Sequence, residues 1–330
     1  MPIAVTGVIA MDHLITLPGR FTERPATDGR PHLGSLTFLA ERVESRRGGT
    51  AANTAYGLGR LGQDPVLVGV AGSDFTDYQL WLKQHGVDTD SVRVVPGEST
   101  ARQVHATDID GRSISTFRPG AARHARPRSL RSVAERTGGI GLVMIAPDDP
   151  PTMLRYAQEC RSLGLPFAVR PARPELSVLG RAEAKSLVSG ARCLFTSGGH
   201  ESTLLTETTG WTARQLLGRV GVWVTALGPA GVVVERSGHR PTLVPATEPV
   251  TVVDRAGAGD ALRAGFLAGL ARGTPPERAA QLGCALASFA VEWRGPQQYP
   301  MDVRVLLNRV RAAYGHTAAA SIRRLLTYAN

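Results

Sequence analysis

The sequence has few cysteines, and their spacing excludes the sites that cysteines usually build. Only three occur among 330 residues, at Cys160, Cys193 and Cys284, far apart and without a CxxC pair. An odd, scattered set of this kind excludes a zinc ribbon or a disulfide-rich scaffold. It favours a reduced protein, so we expect a cytoplasmic location.

Long apolar runs are also missing. No stretch of about 18 apolar residues occurs, so we expect no membrane span. The first residues, MPIAVTGVIAMDH, carry no basic segment and are typical of a buried strand rather than a signal peptide. With 42% hydrophobic and 20% charged residues, the chain has the composition of a globular protein that buries a core.

Lysine is scarce, and arginine carries most of the positive charge. Lys83 and Lys185 are the only lysines, and 38 basic against 28 acidic residues give a formal charge of +10. A positive surface suits anionic ligands such as nucleotides, and also nucleic acid. The densest basic run, residues 112–136, contains seven arginines and one acidic residue. No nucleic-acid-binding motif accompanies it, so we interpret it as solvated surface and do not expect nucleic acid as a partner.

The order of apolar segments predicts an α/β fold. From residue 140 onward, strand-like runs alternate with helical patterns. The predicted strands are 140–146, 167–169, 193–196 and 222–226, and the helices between them are 152–162, 175–189, 201–207 and 212–219. Such alternation is typical of a mainly parallel sheet with helices on both faces, which is a three-layer arrangement.

Two segments depart from this alternation. Residues 13–47 are irregular, although Leu36, Phe38 and Val43 suggest short strands there. Residues 101–118 contain strand-like runs around the turn Asp110-Gly111. We expect these segments to form a small β lid. The chain shows no repeat and no linker, so we expect one domain over residues 1–330 into which the lid is inserted. The edge strands of such a lid can pair with a second copy, so a homodimer through the lid is a further expectation.

The segment with the strongest chemical signal is 250–260, VTVVDRAGAGD. It predicts an apolar strand, a glycine-rich turn and the start of a helix. Gly257 and Gly259 let the backbone approach a ligand closely, and the N–H groups at the helix start can bind an anion. Asp260 stands where a carboxylate could accept the proton of a hydroxyl that attacks a phosphoryl group. Taken alone, the pattern fits equally well an ordinary turn with Asp260 as a helix cap.

Three motifs resemble the signatures of the ribokinase-like, or PfkB, family of sugar and nucleoside kinases. Asp254-x-x-Gly-Ala-Gly-Asp260 is similar to the C-terminal signature of that family. Gly48-Gly49-x-x-x-Asn53 is similar to its first signature, and Thr225-x-Leu-Gly228-Pro-x-Gly231 to its nucleotide-site strand and turn. Further segments, such as Thr100-Ala-Arg102, look like the bacterial adenosine kinases of the family. The resemblance covers essentially the whole chain and implies a ribokinase-like fold.

The resemblance also implies an activity. It points to a kinase that uses ATP and Mg²⁺ to phosphorylate the 5′-hydroxyl of adenosine or a related nucleoside, and it leaves a requirement for K⁺ open. Asp260 would be the catalytic base, and Glu201 would order Mg²⁺ through water. The other implied site residues are the anion hole of Gly257, Ala258 and Gly259, the substrate-binding Asp12, Gly48, Gly49, Asn53, Gln103 and Phe117, and the nucleotide-binding Thr225, Gly228 and Gly231.

Two departures from the family pattern concern the phosphate site. The segment before Glu201 has Gly198 where the Asn-x-x-Glu motif of the family provides an amide, and Ala256 replaces a threonine. A lost donor near the transferred phosphoryl group lowers the rate of transfer. A degenerate family member that binds a nucleoside with little phosphoryl transfer therefore stays open as an alternative. A kinase for another sugar is a second alternative, because the three signatures also fit pentose and hexose kinases.

Two further departures concern charge and base recognition. Arg170 and Arg173 follow the strand 167–169, where the family has an acid and polar residues. They could pair with the phosphates of ATP or point to solvent. Gln103 stands where the adenosine kinases have an aromatic residue that stacks on the purine, so Phe117 is the remaining candidate for stacking.

Overall fold

The computed structural model describes residues 1–21, 38–124 and 126–327. The strands are β1 (Ile3–Thr6), β2 (Ala10–Thr16), β3 (Arg42–Gly48), β4 (Val66–Val68), β5 (Val70–Gly72), β6 (Arg93–Val95), β7 (Ala101–Thr107), β8 (Ser113–Arg118), β9 (Leu142–Ile145), β10 (Phe167–Val169), β11 (Cys193–Ser197), β12 (Val222–Ala226), β13 (Val232–Glu235) and β14 (Thr242–Val244). The helices are α1 (Thr50–Arg60), α2 (Thr76–Gln84), α3 (Leu130–Thr137), α4 (Pro150–Ser162), α5 (Arg173–Val178), α6 (Arg181–Val188), α7 (Gly198–Thr209), α8 (Ala213–Leu217), α9 (Ala258–Ala271), α10 (Pro276–Ala290), α11 (Val303–Tyr314) and α12 (His316–Thr327).

The central sheet of the described chain has eight strands in the order β14-β13-β12-β11-β10-β9-β1-β4. From β12 to β4 all neighbours are parallel, and β13 and β14 extend the sheet as an antiparallel hairpin. The strands are buried apolar runs because helices cover both faces. The carboxyl ends of the parallel strands share one edge, where ligands bind in folds of this kind.

The core consists of two apolar clusters, one on each face of the sheet. One contains Leu58 of α1, Phe266 of α9 and Leu286 of α10. The other contains Tyr156 of α4 and Leu187 of α6. Two helical layers therefore enclose one sheet, and the predicted three-layer α/β fold is confirmed.

A second sheet, in the order β3-β2-β7-β8, forms the lid. β2 pairs with β3 antiparallel and with β7 parallel, each over seven residues from Ala10 to Thr16. The first lid segment is therefore more regular than predicted, and its strand begins before residue 13. A short strand was expected at Val43, which lies in β3. Sequence reasoning missed β2, because its apolar residues, such as the neighbours Leu14 and Ile15, do not alternate with polar ones. Residues 22–37, where a further short strand was expected, lie outside the described residues.

Two predicted elements are wrong. Residues 250–254 do not form a strand, and Val250 and Val252 are exposed. The backbone N–H groups of Val253 and Asp254 donate to the carbonyl oxygen of Val291, at 2.8 and 3.1 Å, so this segment is held by the end of α10 instead of a sheet. The single helix expected over 175–189 is two helices, α5 and α6, because Leu179 and Gly180 have extended backbone conformations.

The three cysteines are buried and free. None of the helices in the described ranges combines the length and the apolar character that a membrane crossing requires.

Candidate active site

The glycine-rich turn leads directly into α9, as the sequence predicted. Gly257 precedes the helix with φ 79°, and a Cβ atom there would lie 2.3 Å from the Cβ of Pro296. Only glycine fits a left-handed position that is packed so closely. The amides of Ala258, Gly259 and Asp260 lie in the first helical turn, where the helix itself offers no acceptor. The Ala258 amide makes a long contact of 3.3 Å with the carbonyl oxygen of Arg255.

The Asp260 carboxylate is buried and is held at both oxygens. Its Oδ2 accepts from Nδ2 of Asn53 at 2.8 Å, and its Oδ1 accepts from the guanidinium of Arg263. Arg263 lies one turn further along α9 and is 5% exposed. Burial lowers the pKa of Arg263 to about 10, so it is still a cation at neutral pH. Sequence reasoning gave Arg263 no role, although the spacing of three residues in a helix could have paired it with Asp260.

Asn53 belongs to a buried chain of hydrogen bonds. Its Oδ1 accepts from Nε2 of Gln297 at 2.8 Å, and the same Nε2 contacts the hydroxyl of Tyr78. That hydroxyl donates to the carbonyl oxygen of Gly48 at 2.8 Å. The two glycine motifs are therefore connected through the side chains of Asn53 and Gln297. Gln297 and Tyr78 were missed, because they lie far from either motif in the sequence.

The lid contributes a row of four side chains that share one face. β2 pairs Asp12 with Arg46 of β3 and with Gln103 of β7, and Gln103 pairs with Phe117 of β8. Directly paired residues point to the same side of a sheet. Burial and the negative charge of Asp260 raise the pKa of Asp12 to about 6, against the opposing charge of Arg46. Asp12 and Asp260 are therefore close enough for the charge of one to act on the other.

Gly48 leaves room for the Asp12 carboxylate. A Cβ atom at Gly48 would lie 2.2 Å from Oδ2 of Asp12. Gly49, which follows, has φ 90° and precedes α1. In the first motif, Gly48 therefore makes space for Asp12, and Gly49 provides the left-handed residue before the helix that carries Asn53.

Arg46 connects the lid to the segment before the glycine-rich turn. Its NH1 donates to Oδ2 of Asp254 at 2.6 Å, and Glu44 binds the rest of the guanidinium. Asp254 also accepts from the backbone N–H groups of Ala256, at 2.9 Å, and Gly295, at 3.0 Å. Burial raises the pKa of Asp254, but these donors outweigh it, and the net pKa is lowered. No role had been assigned to Arg46 from the sequence.

A cavity of about 1090 Å³ extends from the glycine pair under the lid. Gly49, Gln103 and Phe117 line it, together with Asp148 beyond the end of β9. Burial raises the pKa of Asp148 to about 7. Phe117 is 49% exposed, so about half of its surface is accessible to a ligand. The structure thus brings Gln103 and Phe117 together at one cavity.

The residues expected at the nucleotide site lie at the end of β12 and in the turn that follows it. The Thr225 hydroxyl is 3.0 Å from the hydroxyl of Thr196 and is buried. Gly228 and Gly231 form the short turn between β12 and β13. These three residues share the carboxyl edge of the sheet with the Asp260 turn, with no hydrogen bond between the two groups among the described residues.

Glu201 lies in the first turn of α7, and its two oxygens already have partners. Oε1 accepts from Arg170 at 3.2 Å, and Oε2 accepts from the backbone N–H of Ser197 at 2.7 Å. In the ranges that the structure describes, no group of three or more His, Cys, Asp or Glu side chains could hold a metal ion. A single carboxylate fits Mg²⁺ that is bound mainly by phosphate oxygens and water.

Comparisons with known proteins bear on the family and the fold. The family model described as pfkB family carbohydrate kinase matches residues 13–303. A nucleoside kinase of Methanothermobacter thermautotrophicus is 30% identical over 322 residues, which cover 94% of this chain and 96% of the relative. The structure of a Burkholderia thailandensis nucleoside kinase in complex with inosine is 27% identical, with a TM-score of 0.81, and covers 95% of this chain and 98% of that one. A nucleoside kinase structure from Methanocaldococcus jannaschii, at 24% identity, shares the fold with a TM-score of 0.82 over 94% of this chain and 98% of its own.

The fold and the comparisons define a kinase of the sugar and nucleoside class, a phosphotransferase with an alcohol group as acceptor. The chain belongs to the pfkB family of carbohydrate kinases.

Proposed function

We propose that the protein is an ATP-dependent nucleoside kinase that phosphorylates the 5′-hydroxyl of adenosine or a related nucleoside. The observation that carries this proposal is that Asp12 lies within electrostatic reach of Asp260 and next to a residue that lines the cavity under the lid. Asp260 lies in the first turn of a helix whose first amides can bind an anion, and Asp12 is paired on the lid with Gln103, which lines the cavity. The adjoining cavity, lined by Gln103 and Phe117, has room for a nucleobase in addition to a sugar.

Each group in this site has a task in the proposed reaction. Ionised Asp12 accepts hydrogen bonds from the ribose 2′- and 3′-hydroxyls, which fixes the sugar. Asp260 accepts the proton of the 5′-hydroxyl as the hydroxyl oxygen attacks the γ-phosphorus of ATP. The bond from that phosphorus to the β–γ bridging oxygen breaks, and ADP leaves with the electron pair. The amides of Ala258, Gly259 and Asp260 stabilise the charge on the transferred phosphoryl group. Gly257 shapes the turn that places these amides.

The substrate side of the proposal rests on the cavity and on the relatives. Gly48 and Gly49 let the backbone approach the sugar, Asn53 keeps a second amide hydrogen for a hydroxyl, and Phe117 offers a face on which a base can stack. One relative is named as a nucleoside kinase, and one neighbouring structure holds inosine. These features favour a nucleoside over a free sugar.

The nucleotide side is proposed at the ends of β11 and β12. Thr225, Gly228 and Gly231 would line the site of ATP. Glu201 would act on Mg²⁺ through water, and the ion would neutralise the charge of the phosphates. Asp260 keeps both of its anchoring bonds, and this favours an active kinase over a protein that only binds a nucleoside.

We also propose that the lid closes over the substrate. The protein would act in the reduced cytoplasm, as a dimer in which two lids pack together. On the face opposite Asp12, β-sheet pairing aligns Val43, Ile15, Ala106 and Ile114 in one apolar row. Val43 and Ile114 are 64% and 56% exposed, so a second lid could bury them. Light scattering should show a dimer for the wild type and a monomer for Ile114→Lys. A monomeric wild type would contradict this part of the proposal.

The experiment that tests the proposed function is ADP release from ATP and Mg²⁺ with adenosine, inosine, guanosine, cytidine and ribose offered one at a time. Mass spectrometry would identify the product as the 5′-monophosphate. We expect nucleoside-dependent ADP release, with purine nucleosides preferred. Release with ribose alone would support a sugar kinase. Calorimetric binding of a nucleoside without ADP release would support the degenerate alternative.

A further inference from the structure

Arg170 lies between the proposed nucleotide site and the catalytic turn. It follows β10 at the carboxyl edge of the sheet, next to β11 and α7. Its NH2 donates to Oε1 of Glu201 at 3.2 Å and contacts the hydroxyl of Ser197 at 3.4 Å. On the other side, the charges of Arg170 and Glu201 both act on Arg263, the partner of Asp260. A second cation thus stands beside the group that holds the base.

The two arginines have different amounts of freedom. Arg263 is anchored to Asp260, and its guanidinium lies 3.4 Å from where a Cβ of Gly259 would be. Arg170 depends on one long ion pair, and its side chain is 14% exposed. Within the described residues, the Nε–H groups of both arginines are buried and have no hydrogen-bond acceptor. A buried guanidinium with an unused donor favours a ligand that supplies anionic oxygens.

The space near Arg170 also lacks an amide that the family resemblance led us to expect. Gly198 opens α7 with φ 67°, and a Cβ atom there would meet nothing within 4 Å. This opening lies between Ser197, which touches Arg170, and Glu201. A guanidinium that turns away from Glu201 therefore has room to meet a phosphate group, while Glu201 keeps its bond to the Ser197 amide.

We propose that Arg170 binds the β-phosphate of ATP and takes over the contact of the missing amide at position 198. The inference rests on the proposed function and names a nucleotide-binding residue within it. Arginine matches phosphate oxygens with two parallel N–H groups, which a single amide cannot do. Arg263 remains on Asp260 and acts as a positioning residue.

The test is calorimetric binding of ADP and AMP to the wild type, Arg170→Ala, Arg170→Lys and Arg173→Ala. Arg173 begins α5 three residues later and is exposed, so Arg173→Ala is the matched control. We expect Arg170→Ala to weaken ADP about tenfold to a hundredfold and to change AMP about twofold or less, because AMP lacks the β-phosphate. Arg170→Lys keeps the charge and should lose less. Arg173→Ala should bind both nucleotides like the wild type.

Other outcomes separate this inference from the proposed function. Unchanged ADP affinity in folded Arg170→Ala, or equal losses of ADP and AMP, would overturn the role of Arg170 and leave the kinase proposal intact. If the wild type binds neither nucleotide, both fail. Adding Gly198→Asn to Arg170→Ala should recover part of the ADP affinity, because asparagine tolerates a positive φ and the space is open. If the ADP affinity does not recover, the idea that Arg170 replaces the contact of an amide at position 198 would be contradicted.

Discussion

Asp12→Asn is expected to stabilise the ligand-free protein while it weakens nucleoside binding. Burial and the charge of Asp260 raise the pKa of Asp12 from 3.8 to about 6. At neutral pH the ionised carboxylate therefore opposes folding. In the proposed function, the same charge would accept hydrogen bonds from the ribose hydroxyls, and this binding role would explain why a destabilising group is kept at the site.

The size and sign of the effect follow from the two pKa values. A rise from 3.8 to about 6 corresponds to about 3 kcal/mol once the pH is well above 6. The folded protein binds the proton more tightly than the unfolded chain does. The contribution of protonated Asp12 to stability is therefore complete below pH 3.8 and is lost as the pH rises through about 6. Asparagine does not titrate, so the stability gained by Asp12→Asn should grow by about 1.4 kcal/mol from about pH 5 to about pH 8.

Urea denaturation of the two proteins across this pH range would measure the effect. Asp302→Asn is a useful control, because the backbone amides of Arg304 and Val305 lower the pKa of this exposed carboxyl. Its contribution is present at neutral pH and is lost as the pH falls, which is the opposite trend. A pH-independent difference between Asp12→Asn and the wild type, or a less stable variant at about pH 8, would refute the reasoning. Calorimetry with a nucleoside should show the loss of affinity.

Three further substitutions test the site. Gly48→Ala places a Cβ 2.2 Å from Oδ2 of Asp12, so we expect at least about a tenfold loss of nucleoside affinity with unchanged ATP affinity. Gly218→Ala is the control, because a Cβ there has no neighbour closer than 3.5 Å, and it should bind both ligands like the wild type. Equal loss of both ligands would argue against a local effect on Asp12. Gln297→Leu removes the donor to Oδ1 of Asn53 and to the Tyr78 hydroxyl, so the free energy of unfolding should fall by about 1–3 kcal/mol and kcat should fall. Gln298→Leu, at an exposed position, should change neither. A fully stable and active Gln297→Leu would contradict the proposed chain of hydrogen bonds. Gly257→Ala, with its Cβ 2.3 Å from Pro296, should lower kcat about a hundredfold or more, and an active variant would show that the turn is not the anion hole.

Local pattern was enough to predict much of the fold. The alternation after residue 140 predicted strands β9 to β12, and 167–169 and 222–226 agree with the structure to the residue. Gly257 and the residues after it predicted the turn and the start of α9, because few other sequences form a left-handed turn before a helix. The run from Val250 to Val253 led to a wrong prediction, because β-branched residues are typical of strands. Its backbone hydrogen bonds are made with the end of α10, and a local pattern does not indicate that.

The contacts that complete the site could not be read from the sequence. Arg46 and Asp254 are 208 residues apart, and Gln297 and Asn53 are 244 residues apart. Their pairing is a product of the fold, and no local period encodes it. Asp12 could be placed only through the resemblance. The pKa of Asp12 is raised by burial and by Asp260, and both depend on the fold, because Asp260 is far from Asp12 in the sequence.

The most direct test of the central claim compares turnover and binding in the wild type and Asp260→Asn. The wild type should release ADP in the presence of ATP, Mg²⁺ and a nucleoside. Asp260→Asn should lower that rate by about a hundredfold to ten-thousandfold, because the proton acceptor is lost, while calorimetric nucleoside affinity stays within about threefold. A variant that retains the wild-type rate, or a wild type that releases no nucleoside-dependent ADP, would contradict the account.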